Sequence, residues 1–270
     1  MNYCSPKKNK NNKSCYDFNV LIALAKAYNK YIKKKNLCKD KTCALKKEII
    51  INNKSALELH TELDYRLNKI CKQEYCWIEL DFINEITDKN LKEQILNYTF
   101  KPISPKGKYS WLNTHNIEQV LHQYEECTKN FKFLGAQPAD FSLVQKINYN
   151  NLFKIKKLGI VFNTDNHNKP GKHWVSVFIN NTNTKKNIEY FDSLGNKPNK
   201  YIQDFLNHFK NYNFIYNKIE FQKGQSNCGI YACNFIIMKI KGYSFNEIIS
   251  MNLTDKIMTD YRQELFRPIQ

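Results

Sequence analysis

The chain has 270 residues, a formal net charge of +17 at pH 7, and 42% hydrophobic residues. This apolar content excludes a disordered chain and is enough for a sizeable core. The charge favours contact with polyanions, although a genome rich in A and T would also explain the abundant Lys and Asn. The apolar run at 18–25 is too short to cross a bilayer, so we expect a soluble intracellular protein without membrane insertion.

The first part of the chain is basic and has a helical pattern. Up to Ala56 it contains fourteen lysines and three acidic residues. Hydrophobic residues recur three and four positions apart in three segments, which predicts helices at 18–31, 44–51 and 56–70. We therefore predict a basic helical domain over 1–85, with a role of its own or as a helical extension of the core. Residues 86–270 form the second predicted domain.

The chain contains nine cysteines, and two pairs of them have the same spacing. Four residues separate Cys38 from Cys43 and Cys71 from Cys76. Structural zinc sites more commonly place two residues between their cysteines. An odd number of cysteines also argues against a complete disulfide framework. We expect ordinary buried thiols here, with no metal and no other cofactor.

The second domain mixes helical and strand patterns. Helical spacing and capping residues predict a helix with a linker at 79–96 and helices at 116–124, 200–211 and 228–238. Asn113 or Asn116 is suited to cap the second of these. Segments rich in β-branched and aromatic residues predict strands at 158–162, 173–179, 187–191 and 213–221. Residues 180–183 would join the second and third strands as a hairpin.

Four polar residues of this domain have the types that a cysteine peptidase needs. Cys228 begins a predicted buried helix, where free N–H groups and the helix dipole stabilise a thiolate. His173 lies at a junction between a loop and a strand, and Asp192 follows the next strand. The hairpin would bring them within hydrogen-bonding distance as base and orienting acid, while Gln222 could donate to an oxyanion. The pattern predicts nucleophilic catalysis by Cys228.

Other residues near these positions have less suitable surroundings. His167 competes for the role of base but lies in the middle of a loop, with no strand to hold it. Cys233 lies inside the apolar run, where we expect core packing. Gly229 lacks a side chain, which would leave room for a substrate carbonyl beside Cys228.

Four short segments occur in an order that resembles a known family. They are Trp-Leu-Asn at 111–113, His-Trp at 173–174, Tyr-Phe-Asp-Ser-Leu-Gly at 190–195 and Gln-x5-Cys-Gly-Ile-Tyr at 222–231. This order resembles the Ulp1-like clan of SUMO proteases, and within it the polyprotein-processing proteases of African swine fever virus and related large DNA viruses. The resemblance covers residues 105–270. It implies an α+β fold with a central mixed sheet flanked by helices, preceded by a helical N-terminal domain.

The resemblance also implies roles for individual residues. His173 is then the general base, Asp192 its orienting acid and Cys228 the nucleophile. Gln222 matches the glutamine that donates to the oxyanion, with the Cys228 backbone N–H as second donor. Gln225 is nearer to the cysteine but has the wrong offset.

The family resemblance implies a substrate slot as well. Trp111 and Trp174 match aromatic walls that close over a diglycine, since a flat slot admits backbone without a Cβ and excludes larger residues. Asn163 matches the viral proteases, without a role that follows from its chemistry. The implied substrate is a Gly-Gly-containing polyprotein, cut after the second glycine. The implied locations are the virus factory in the host cytoplasm and the virion, where the basic surface could contact DNA non-specifically.

Two alternatives stay open at this point. A deSUMOylase or deubiquitinase-like isopeptidase acting on host conjugates would use the same catalytic residues. A catalytically silent, DNA-associated virion protein would need none of them, and the presence of all four argues against it.

Overall fold

The computed structural model describes residues 3–8, 14–35, 47–107, 109–182 and 185–268. The chain divides into two compact units, with the boundary between Lys101 and Pro102. The predicted boundary at residues 85 and 86 is too early. Ile95 and Phe100 are buried in the hydrophobic core of the first unit, so the segment that carries them belongs to that unit.

Among the described residues of the first unit, the regular elements are helices. Its elements are α1 (Phe18–Lys34), α2 (Ala56–Leu67), two 3₁₀ helices (Glu74–Glu79 and Asp81–Glu85) and α3 (Lys89–Tyr98). The three α-helices begin after side chains that accept a bond from a free backbone N–H, namely Asp17, Ser55 and Asp88. The predicted helices at 18–31 and 56–70 are confirmed. The one at 44–51 is wrong for residues 47–51, which are not helical, and its other residues lie outside those described.

Four cysteines of the first unit form disulfides, contrary to the prediction of free thiols. Cys4 pairs with Cys15 and Cys71 with Cys76, with Cα–Cα distances of 5.3 and 5.9 Å. Both distances lie in the range that a disulfide requires. A bend at 72–73 and the start of the first 3₁₀ helix lie between the cysteines of the second pair, which spacing alone did not indicate. The other two cysteines with this spacing, at positions 38 and 43, were also expected to be buried thiols. They lie outside the described residues.

Within its described residues, the second unit contains one five-stranded mixed sheet. Its strands, in spatial order, are β1 (Phe131–Gln137), β2 (Lys157–Asn163), β3 (Trp174–Thr182), β4 (Lys185–Phe191) and β5 (Asn213–Tyr216). The central pairs β2–β3 and β3–β4 are antiparallel, and the outer pairs are parallel. The strand predictions are confirmed for β2, β3 and β4. The predicted strand at 213–221 ends early, β1 was not predicted, and the tip of the β3–β4 connection lies outside the described residues.

Helices cover this sheet. They are α4 (Thr114–Glu126), α5 (Phe141–Val144), α6 (Tyr149–Leu152), α7 (Lys200–Leu206), α8 (Cys228–Ile240), α9 (Phe245–Ser250) and α10 (Asp255–Leu265). Asn113 caps α4 and forms a reciprocal capping box with Asn116, so both proposed capping residues take part. The predicted α+β architecture, a mixed sheet flanked by helices, is confirmed.

Helix α8 is the central helix of the second unit. It is buried along most of its length and packs against β3. The ring of Phe235 on α8 stacks on Phe191 at the end of β4, with 5.0 Å between the centroids. This packing fixes the position of α8, which begins at Cys228, relative to β4, which precedes Asp192.

No helix among the described residues combines the length and the apolar character needed to cross a lipid bilayer.

Gly195 ends the turn that follows β4, and we predict that it tolerates alanine poorly. It has φ of +75°, and a Cβ there would lie 3.0–3.1 Å from backbone atoms of Lys218 and Ile219. Gly242 has φ of +100° but no atom within 4 Å of its Cβ position, so it is a matched control. Gly195→Ala should lower the free energy of unfolding by about 3 kcal/mol and Gly242→Ala by about 1 kcal/mol. Equal losses in chemical denaturation would contradict this explanation.

Candidate active site

The β3–β4 hairpin places a histidine beside an aspartate at one end of the sheet. Ser176 on β3 pairs with Phe191 on β4. If this register is continued past the last pair, His173 and Asp192 lie on the same face of the sheet, in diagonally adjacent positions. His173 Nε2 lies 2.6 Å from Asp192 Oδ1. The backbone N–H of Leu194 donates to the same oxygen at 2.9 Å, which further orients the carboxylate.

Cys228 is the first residue of α8 and is 2% exposed. At that position it lies beside the free N–H groups of the first helical turn. Its side chain interacts with the His173 imidazole closely enough to contribute to the raised pKa of His173. Because Nε2 of the imidazole faces Asp192, Nδ1 is the nitrogen left for the thiol.

The protonation state of His173 suits this arrangement. Burial lowers the pKa of His173, but hydrogen bonds and charge interactions with Asp192 and Cys228 outweigh it and raise the pKa to about 9. His173 therefore carries a proton at neutral pH. A protonated imidazole beside a nucleophilic cysteine can give its proton to a leaving group.

Gln222 lies buried in the segment between β5 and α8. Its Oε1 accepts a hydrogen bond from Ser193 Oγ at 2.8 Å, and its Nε2 donates to the carbonyl oxygen of Gly224 at 2.7 Å. A carboxamide nitrogen carries two hydrogens, so a second N–H is left for another acceptor. Gln225, the alternative by distance along the chain, is exposed.

Trp111 and Trp174 line the same cleft, whose volume is about 500 Å³. Trp174 is buried, and its Nε1 donates to the carbonyl oxygen of Leu112 at 2.7 Å. Trp111 is 52% exposed. The Leu112 side chain packs over Gly229, where a Cβ would lie 2.9 Å from Leu112 Cβ. The glycine therefore allows the close approach of residue 112, a reason that the sequence did not indicate.

Asn163 also lines the cleft, and its side chain stabilises the loop that precedes His173. Its Oδ1 accepts hydrogen bonds from the backbone N–H groups of Asp165 and Lys172, at 3.0 and 3.1 Å. Neither His173 nor Cys228 lines the cleft, whereas the two chain neighbours of His173, Lys172 and Trp174, do. The cleft thus borders the chain on both sides of the histidine.

Two weaker candidates have other partners. His167 pairs with Asp140, which lies 2.8 Å from its Nδ1 and also accepts its backbone N–H at 2.9 Å. Cys233 is fully buried in the core around α8, and burial raises the pKa of its thiol. Neither arrangement combines a His–Asp pair with a cysteine, as His173, Asp192 and Cys228 do.

Three further residues hold the site together and were missed as functional residues from sequence. Asn217 accepts a bond from the Asp192 backbone N–H at 2.9 Å and donates to its carbonyl oxygen at 2.7 Å. It directly follows β5, as Asp192 follows β4, and parallel neighbours end at the same edge of a sheet. Because both residues directly follow adjacent parallel strands, their contact could have been predicted from the sequence. Ser193 lies inside the Tyr-Phe-Asp-Ser-Leu-Gly motif at 190–195, but the motif gave it no role.

Asp255, on α10, is the third of these residues. Its Oδ2 accepts the backbone N–H groups of Lys223 and Gly224, at 2.8 and 2.7 Å. It therefore anchors the segment that joins Gln222 to Cys228. Its helix was not predicted, and no local pattern connects it to that segment.

Comparison with known proteins identifies the family. Residues 104–270 match the model of the Ulp1 protease family, C-terminal catalytic domain. The chain belongs to the Ulp1 protease family. It is therefore a cysteine protease, and the family match covers nearly the whole second unit.

Similar viral proteins extend the likeness to the first unit. The R355 protein of Acanthamoeba polyphaga mimivirus, which is named as a thiol protease, is 35% identical over 99% of this chain and 94% of its own. Cysteine protease S273R of African swine fever virus is 26% identical over 82% of this chain and 92% of its own. The crystal structure of the African swine fever virus pS273R protease has a TM-score of 0.66 at 21% identity. That comparison covers 99% of this chain and 96% of the other, and confirms the fold.

We predict that Asp192→Asn lowers the pKa of His173 from about 9 towards its ordinary value of 6.5, because it removes the partner charge. The NMR titration of the His173 ring measures the midpoint. Since the folded pKa is raised, the stabilisation from this pair is complete below about pH 6.5 and is lost as the pH rises through about 9. The stability difference between wild type and Asp192→Asn should shrink over that interval.

Asp140→Asn is the matched control for that experiment, because it removes a carboxylate from the other His–Asp pair, at His167. It should leave the His173 midpoint where it is. An unchanged midpoint in Asp192→Asn, or the same change in both variants, would contradict the assignment of the shift to Asp192.

Proposed function

We propose that this cysteine protease is an endopeptidase that cuts after the second glycine of Gly-Gly-Xaa sequences. Cys228 is the nucleophile, His173 the general base and acid, and Asp192 the group that orients the imidazole. One observation carries the proposal: His173 lies 2.6 Å from Asp192, and the same imidazole interacts with the cysteine at the start of α8.

The reaction follows from this arrangement. The Cys228 thiolate attacks the carbonyl carbon of the second glycine, which forms a C–S bond and an oxyanion. His173 gives its proton to the leaving amine as the C–N bond breaks, and a thioester is left. His173 then takes a proton from water, whose oxygen attacks the thioester carbon and releases the thiolate.

The oxyanion would accept hydrogen bonds from the Cys228 backbone N–H and from the second Nε2 hydrogen of Gln222. A donor of this kind is typically worth about 3 kcal/mol in the transition state. The buried position of Gln222 and the bonds that hold both ends of its amide support this role.

The cleft supports the choice of glycine. Trp111 and Trp174 both line it, and the bond from Trp174 to the Leu112 carbonyl ties the two indoles to one segment. Between flat aromatic faces a backbone without Cβ fits, and any larger residue is excluded.

The natural substrate would be a structural polyprotein of a large DNA virus. The named viral relatives support this, since two of them match most of this chain. Cleavage would take place during virion assembly, in the virus factory of the host cytoplasm and in the virion. The net charge of +17 supports an additional non-specific contact with DNA there.

Cleavage of SUMO conjugates is the second candidate. It is favoured by the family itself and by the name of one relative, SUMO-1 cysteine protease S273R of African swine fever virus, which is 25% identical over 82% of this chain. The same catalytic residues would serve, so only the substrate distinguishes the two candidates.

The deciding experiment compares the full chain with its Cys228→Ala variant under reducing conditions. The substrates are a Gly-Gly-Xaa peptide, the same peptide with Ala for the second glycine, and a SUMO fusion. We expect the wild type to cut only the Gly-Gly peptide, and Cys228→Ala to cut nothing. Efficient cleavage of the SUMO fusion would favour deconjugation instead, and a Gly-Gly peptide left intact by the wild type would overturn the proposed specificity.

Trp111 allows a test of the slot between the two indoles, because its side chain is exposed and its removal leaves no cavity in the hydrophobic core. Trp111→Ala should reduce the preference for Gly-Gly over Gly-Ala, measured as the ratio of kcat/KM values, by about tenfold, since one wall is lost. Tyr201→Ala removes another exposed aromatic ring, on α7, and should not change the ratio. An equal preference in Trp111→Ala and wild type would show that the indole does not select glycine.

A further inference from the structure

Ser193 directly follows Asp192 and is 1% exposed. It makes three hydrogen bonds to the two residues at the start of the segment that leads to Cys228. Its carbonyl oxygen accepts the backbone N–H groups of Phe221 and Gln222 at 2.8 and 3.0 Å. Its Oγ donates to Gln222 Oε1 at 2.8 Å. The residue after the acid is thus joined to the glutamine proposed as the oxyanion donor.

The orientation of that glutamine amide is set by its two partners. The Gly224 carbonyl oxygen, 2.7 Å from Nε2, can only accept, so a rotated amide would bring two oxygens together there. In the observed orientation Oε1 needs a donor, because an unsatisfied buried oxygen is costly. Ser193 Oγ is that donor. With both ends held, the second Nε2 hydrogen has a defined direction.

The turn that carries Ser193 is itself held firmly. Asn217 bonds to both backbone groups of Asp192, and the Gly195 N–H donates to the Asp192 carbonyl oxygen at 2.8 Å. A hydroxyl on such a turn has little freedom to follow a moving amide. It therefore restrains Gln222 rather than adapting to it.

We infer that Ser193 is a positioning residue, which holds the Gln222 amide with its free N–H available to the oxyanion. Ser193 touches no reacting atom and acts through Gln222. The inference rests on the role proposed above for Gln222.

The test is a double-mutant cycle in the full chain with the Gly-Gly peptide. Gln222→Ala should lower kcat about 100-fold, and Ser193→Ala about tenfold with little change in KM. In the Gln222→Ala background, Ser193→Ala should have no further effect, since the group it positions is gone. If Ser193→Ala lowers kcat by the same factor in both backgrounds, its role is merely structural and the inference is overturned.

Ser176→Ala is the matched control for the loss of a buried hydroxyl. Ser176 lies on β3, is 0% exposed, and its Oγ has no hydrogen-bond partner among the described residues. This variant should keep the wild-type kcat. A loss equal to that of Ser193→Ala would assign the effect to core packing and overturn the inference.

A second readout separates this inference from the proposed function. The NMR signals of the Gln222 side-chain amide, identified by their absence from Gln222→Ala, should shift and broaden in Ser193→Ala but not in Ser176→Ala. Unchanged signals in Ser193→Ala would overturn the positioning role whatever the substrate. A wild-type kcat in Gln222→Ala would instead refute the oxyanion role, while the amide signals would still report whether Ser193 holds the side chain.

Discussion

The register of the β3–β4 hairpin is the constraint on which the site depends. Ser176 opposite Phe191 puts His173 and Asp192 on the same face, near enough for a 2.6 Å contact. A slip of one residue would turn Asp192 to the other face and separate the pair. Buried side chains on both faces prevent that slip: Val177 and Tyr190 on one face, and Phe178 and Phe191 on the other. The hydrophobic core thus sets the geometry of a polar pair at its edge.

Cys228 is positioned by the same core. Helix α8 is buried along most of its length, and its ring stack with Phe191 places the start of the helix relative to the end of β4. His173, Asp192 and Cys228 are therefore brought together by two elements, the β3–β4 hairpin and α8, that already pack together through apolar contacts. Hydrogen bonds from Asn217 and Ser193 then satisfy the polar groups that this packing buries, which a low-dielectric site requires.

The cleft and the His173–Asp192–Cys228 site share supports in this unit. The segment that carries Trp111 and Leu112 packs over Gly229, next to Cys228. Carbonyl oxygens of this segment accept hydrogen bonds from the Trp174 indole and from the buried Arg262 guanidinium. Displacing this segment would disturb the cleft and the beginning of α8 together. The cleft wall is in direct contact with Gly229, the chain neighbour of Cys228.

The sequence by itself determined the elements and residue types that depend on neighbours in the chain. Strands β2, β3 and β4, helix α8 and the capping of α4 follow from periodicity and local hydrogen bonding. The motifs around His173, Asp192 and Cys228 identified the three side chains that the structure brings together. The family followed from the order of those motifs.

Only the tertiary structure decided what depends on residues far apart in the chain. The bonds of Asn217 to Asp192, Ser193 to Gln222 and Asp255 to Lys223 join residues 25 to 32 positions apart. Strand β1 and helix α10 were missed, and the paired cysteines and the true end of the first unit were misjudged. Each depends on the partner that packs against it. Periodicity reports which face of an element is apolar, but not which distant polar group will meet it once the chain has folded.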